Sequence, residues 1–163
     1  MHDWLAGIEQ TGLATWVREA PTLWAYPTVL FLHTVGLGFL VGLNVTIDLR
    51  LLGVAAALPL APMRRWFPVM WAGFWVNAGS GLLLLAADAT TKLLNPVFGI
   101  KMLFVCAGVL NMWYFKRPLV ERVAGGQVVR HARLAAVASL LIWIGATTAG
   151  RLMGYLAPAG GLP

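Results

Sequence analysis

Hydrophobic residues along this chain gather into four long runs, near 24–47, 67–87, 97–115 and 134–156, parted by short polar stretches. Each run approaches the roughly 20 apolar residues that an α-helix needs to cross about 30 Å of hydrocarbon. The pattern predicts four spanning helices that use nearly the whole chain and leave no segment for a separate soluble catalytic domain. The expected fold is all-α, an integral membrane four-helix bundle in which residues 1–163 form a single domain. Ahead of the first run, Trp4, Leu5, Ile8, Leu13, Trp16 and Val17 recur at near-helical spacing among polar residues. That spacing predicts a short helix lying in the headgroup layer. The same stretch lacks the basic start, apolar core and A-x-A site of a removable signal, so it is expected to stay.

Polar and small residues inside the runs refine this picture. Trp24 and Tyr26 are expected interface anchors of the first span, and Gly36, Gly38 and Gly42 an expected surface for close helix approach. The string GLGFLVG lacks both the spacing and the strand-to-helix setting of a dinucleotide loop. In the second run Gly73, Asn77 and Gly81 fall at steps of four, with Ser80 beside them, which predicts a buried face. Asp88 and Lys92 read as a surface ion pair. Asn95-Pro96 predicts a turn into the third helix, and Lys116, Arg117 and Pro118 predict its end, ahead of a basic linker that includes a short surface helix. Asp48 and Arg50 read as a helix-end stop. In the fourth run Trp143, Thr147 and Arg151 share one face. The tail APAGGLP has no periodicity and reads as disordered or loosely laid on the surface.

Composition agrees with a membrane protein. Of 163 residues 60% are hydrophobic and 11% charged, where soluble domains carry roughly 25% charged residues. The net charge of +6 does not indicate nucleic acid, because the cations sit at the ends of the runs. Arg50, Arg64, Arg65, Lys116, Arg117, Arg122, Arg130 and Arg133 fall on one side, against Arg18, Lys92, Lys101 and Arg151 on the other. By the positive-inside rule the 48–66 and 116–133 loops are expected to be cytoplasmic and both termini to face the periplasm or exterior. The expected localisation is a bacterial inner membrane with both termini periplasmic. The single cysteine, Cys106, rules out an intrachain disulfide and reads as a small core residue.

Ionisable residues within a span are costly, about 2.5–3.5 kcal/mol at the centre on insertion scales, and usually face protein or water. His33 lies about 13 Å below the outer boundary at 1.5 Å per residue, close to mid-membrane. Lys101, Arg151 and Asp88 fall in the same outer half, each from a different helix. The set predicts one outer-facing pocket and suits a b-type haem: His33 as axial ligand, Lys101 and Arg151 for the propionates, Trp75 and Trp143 deep enough to line it, and Gly36, Gly73 and Gly108 making room. Asn77, Trp143 and Thr147 are counted with the cofactor-binding set. The rival reading of His33 is a neutral imidazole bonded to Asn77 or Thr147 that fixes helix packing, as the rival reading of Lys101 and Arg151 is snorkelling to the outer headgroups. No second histidine lies within a span, since His2 and His131 fall at opposite surfaces. The sixth position is left to a methionine, water or a second copy. Expected partners are the lipid bilayer, a membrane or periplasmic redox partner, and a homo- or hetero-oligomer. A non-catalytic subunit or scaffold of a larger complex is the second reading. Copper handling through His33 is the third, although the methionines form no M-x-x-M cluster. Hydrolysis finds no carboxylate pair and no Ser-His-Asp set.

The segments H-x-x-G-L at 33–37, D-L-R-L-L-G at 48–53, N-P-x-F-x-x-K at 95–101 and G-R-L-x-x-Y at 150–155 resemble the signature of an uncharacterised bacterial family of four-helix membrane proteins. More distantly, the layout is similar to copper-resistance D membrane domains and HemJ-type protoporphyrinogen oxidases, which also place a histidine in the first span and a lysine at the start of a later one. The resemblance matches these to His33 and Lys101 and implies haem or porphyrin binding. It departs where the oxidases have a second histidine about three turns after the lysine, since this chain has Asn111 and Met112 there.

Overall fold

The computed structural model describes residues 2–126 and 131–155, all of whose regular elements are helical. Two short helices, α1 (His2–Glu9) and α2 (Gly12–Glu19), precede the long helix α3 (Tyr26–Leu52). Then come α4 (Leu60–Met63), α5 (Trp66–Ala86), α6 (Ala89–Leu93) and α7 (Pro96–Leu110). A π-helical turn, Asn111–Lys116, leads into α8 (Arg117–Ala124), and α9 (Ala132–Tyr155) completes the order. Four helical stretches are long and apolar enough to cross a membrane: Tyr26–Leu52, Leu60–Ala86, Pro96–Ala124 and Ala132–Tyr155. The protein is a four-helix membrane bundle. The predicted N-terminal helix is two helices, and the predicted tail and Arg130 lie outside the described residues.

Local chemistry sets most of the boundaries. Pro27 occupies the first turn of α3, where its missing N–H costs nothing. Gly53 ends that helix in the left-handed region, φ 90°, and its N–H reaches back to the Arg50 and Leu49 carbonyls. Asn95 caps α7, its side chain accepting from the Val97 N–H at 2.9 Å, and Pro96 follows. The expected stop at Lys116 does not hold. The helix passes through the π turn and continues to Ala124, with Pro118 tolerated in the first turn of α8. A π turn inserts a residue into the helix, and steps of four overshoot a 3.6-residue turn. The wider turn absorbs the drift and keeps Gly108, Met112, Lys116 and Val120 all on the buried side.

α3 packs along α5 and α9, and α9 along α7, so the spans run α5, α3, α9, α7 around the bundle. The ring closes where Trp71 of α5 meets Trp113 of the π turn edge to face, 5.1 Å between centroids. Residues 53–65, with Gly125, Gly126 and His131, mark one end of the bundle, here the basic end. α1, α2 and α6 cover the opposite end. The larger apolar core, including Leu40, Ile47, Met63, Phe67, Met70, Met112, Val120 and Trp143, fills the basic half, whereas a small cluster of Val17, Val29, Leu84 and Ala87 fills the other.

Glycine packing is selective. A Cβ on Gly36 would lie 2.7 Å from the Asn77 nitrogen and the Gly73 carbonyl oxygen, and one on Gly73 would lie 2.9 Å from the Gly36 oxygen. α3 and α5 therefore touch backbone to backbone, as close-approach glycines allow. Gly38 and Gly42, expected on the same surface, have nothing within 4 Å and face outward. Cys106 is exposed rather than a core residue, and Trp75, 68% exposed, points away from the bundle interior.

Candidate functional site

Two polar clusters lie inside the spans, both anchored on α3. The first surrounds His33. Its Nδ1 lies 2.9 Å from the Asn77 carbonyl oxygen and 3.3 Å from Ser80 Oγ, while Asn77 Nδ2 donates to the His33 carbonyl at 2.7 Å. A carbonyl oxygen only accepts, and the Ser80 hydroxyl is already donated to Val76 at 2.6 Å. Nδ1 therefore carries the proton, and in the neutral imidazole Nε2 keeps a free lone pair. The ring edge rests against Gly81, where a Cβ would stand 3.0 Å from Cε1. The face of α5 predicted from Gly73, Asn77 and Gly81 is thus the face that holds the histidine. Of the two expected partners, Asn77 is engaged. Thr147 instead donates to the Trp143 and Ile144 carbonyls of its own helix.

Two lysines lie near this cluster. Lys101 and Lys92 stand near enough for their charges to act on the His33 ring. Lys101 lies half-buried against α9, with its chain 3.6 Å from the position a Cβ on Gly150 would take. Lys92 of α6 donates to the Leu84 carbonyl at 2.6 Å and lies 3.9 Å from Asp88 Oδ2. Burial pushes the Lys92 ammonium below the ordinary lysine range, opposed by the nearby Asp88 carboxylate. Arg151 is exposed and Trp143 is buried against Gly108, where a Cβ would meet its ring at 2.8 Å. Of the expected set of His33, Lys101 and Arg151, the first two lie near one another, and Lys92, read from sequence only as an ion pair with Asp88, lies near them too.

The second cluster was not foreseen. Lys116, expected in a cytoplasmic loop, is 2% exposed, and its Nζ lies 2.7 Å from Oδ1 of Asp48, itself 0% exposed. The same ammonium donates to Ser139 Oγ at 2.6 Å and to Asn44 Oδ1. Asp48 is therefore no helix-end stop but half of a buried ion pair joining α3, the π turn and α9. Asp48 Oδ2, Asn44 Nδ2 and Trp143 Nε1 are buried without a hydrogen-bond partner. The spacing Asn44–Asp48, one helical turn, was visible in the sequence; Lys116 and Ser139 gave no comparable signal.

Clefts open at the basic end. One of about 710 Å³ lies between α5 and α8, lined by Ala61, Arg64, Arg65, Phe67, Pro68, Trp71, Arg117 and Glu121. A second, about 290 Å³, is lined by Tyr114, Phe115, Pro118, Leu119, Arg122, His131 and Ala135. Neither includes a residue of the His33 cluster. Among the described residues no three His, Cys, Asp or Glu side chains converge on a common point.

The family profile described as "Family of unknown function (DUF6644)" matches residues 24–156, all four spans. No curated protein and no solved structure matches the chain.

Proposed function

The chain belongs to the DUF6644 family, and from that premise we propose that it is a multi-pass protein of the bacterial inner membrane that holds a b-type haem at His33 and serves membrane electron transfer. The observation that carries the reading is the Nδ1–H of His33 committed to the Asn77 carbonyl, 2.9 Å away. That bond fixes ring and tautomer and leaves the Nε2 lone pair free, and most metal-ligating histidines likewise donate their other ring N–H to a carbonyl or carboxylate. Lys101 and Lys92 supply two positive charges for a dicarboxylate cofactor. When bound, the haem contributes one-electron chemistry at its iron. The chain's part is to aim one imidazole and balance the carboxylates.

The fit is good for the donors and poor for the slot expected between helices. Gly36 and Gly73 are closed by their own backbones and Gly108 by Trp143, so they leave no room for a macrocycle. The residues that would hold the group are those on the half-exposed side of His33. Loop charge supports periplasmic termini: with Lys116 buried, seven cations remain on the basic side against four opposite.

Gly38 and Gly42, small residues on the outer face of α3 with nothing within 4 Å, favour a second reading, a non-catalytic subunit of a larger membrane complex. Haem content by pyridine haemochrome, with iron and copper assayed on the same sample, separates the readings. His33→Ala is expected to lose haem while remaining monodisperse and helical, and Lys101→Met to retain less than the parent. Equal haem in His33→Ala contradicts the assignment. A colourless protein with a stoichiometric co-purifying subunit supports the second reading, and copper in place of iron a copper site on the same Nε2.

A further inference from the structure

The Lys116 cluster has the chemistry of an ion site already filled. An ammonium has three N–H donors, and here they meet three side-chain oxygens: Asp48 Oδ1, Ser139 Oγ and Asn44 Oδ1. A carboxylate, a hydroxyl and an amide oxygen are the hard donors that alkali cations take, and no sulfur or imidazole joins them. The cage carries one negative charge, matched by one positive charge. A divalent ion would leave an uncompensated charge among side chains that are all out of reach of solvent, Asn44, Asp48 and Ser139 each 0% exposed. A further oxygen, Asp48 Oδ2, is buried and unpartnered, beyond those the ammonium uses.

We propose that Asn44, Asp48 and Ser139 form a monovalent-cation site whose resident occupant is the Lys116 ammonium, and that free Na⁺ or K⁺ takes its place when that ammonium is removed. The side chain is then a tethered ion: it neutralises the cage and ties the π turn to α3 and α9. The proposal is independent of what His33 binds.

Lys116→Met keeps the stem and removes the charge. The variant is purified in N-methylglucamine chloride and melted against NaCl, KCl and choline chloride at equal ionic strength. The expected result is a saturable rise in midpoint with NaCl or KCl that choline does not give. The full-length parent shows no such ion-specific rise, and Lys116→Met with Asp48→Asn loses it. Equal response to all three salts, or a response that survives Asp48→Asn, overturns the proposal. Aggregation of Lys116→Met in every salt overturns it too, because a cage that accepts a free cation must recover when given one; the double variant then shows whether the fold tolerates methionine there.

Discussion

Both clusters pair α3 with a neighbour, yet they are built to different standards. Around Lys116 the polar partners Asn44, Asp48 and Ser139 are themselves fully buried and the charged atoms are out of reach of solvent. Around His33 the bonds run to backbone carbonyls, the ring is half-exposed, and a donor atom is left free. A buried ion pair contributes little net stability, but losing one partner strands the other. A half-buried imidazole with one committed nitrogen costs less to disturb and has more to offer a ligand. The lysine–aspartate cluster thus fixes the bundle, and the histidine cluster is the part open to chemistry.

The sharpest way to break this comparison is to remove one charge. Lys116→Met in alkali-free buffer is expected to lose about 3–5 kcal/mol, the usual cost of stranding a buried partner, and Asp48→Asn on top should restore most of it. Unfolding in mixed micelles measures both. Equal losses in the single and double variants would mean that the pair is not coupled.

A smaller effect is expected where α3 meets α5. Gly36→Ala forces a Cβ into backbone 2.7 Å away, so the helices must part, at about 1–3 kcal/mol. Gly42→Ala, with nothing within 4 Å, should stay within about 0.5 kcal/mol of the parent. Similar values for the two would contradict the observed helix pairing. Asn77→Ala removes the 2.7 Å bond to the His33 carbonyl but keeps the backbone acceptor for Nδ1. A loss of about 1 kcal/mol with ligand binding retained is the expected outcome.

The mildest prediction concerns the N-terminal helices. Glu9 Oε1 accepts the Thr90 N–H at 2.6 Å in the first turn of α6 and so ties α1 to the bundle. This backbone donor holds the Glu9 carboxyl below its ordinary value of 4.5. A carboxyl lowered on folding stabilises the folded state above that value and loses the contribution as pH falls through its folded-state pKa. The protection of residues 2–19 against hydrogen exchange, taken relative to the intrinsic rate at each pH, should therefore fall below pH 4.5 in the parent but change less with pH in Glu9→Gln. Matching profiles would remove Glu9 from the contact.

The four spans were legible because burial in lipid demands long apolar runs, and nothing in the tertiary structure overrides that demand. His33 with Asn77 was legible as well, since a polar residue in a span needs a partner and Asn77 lies on a face marked by glycines. Lys116 was not. Lys-Arg-Pro reads as a helix exit, and the sequence carries no mark for a π turn that rotates the first of these residues inward while Arg117 stays exposed. Gly38 and Gly42 failed for a related reason: a glycine without a facing neighbour looks the same in sequence as Gly36, which has one.

The measurement that bears most directly on the histidine site is the dithionite-reduced minus oxidised absorption spectrum of the full-length protein, purified from a haem-replete bacterial membrane without added cofactor. The account predicts a Soret shift and α-band of a b-type haem at no more than one haem per chain, both absent from His33→Ala. A flat difference spectrum from monodisperse, helical protein would contradict it.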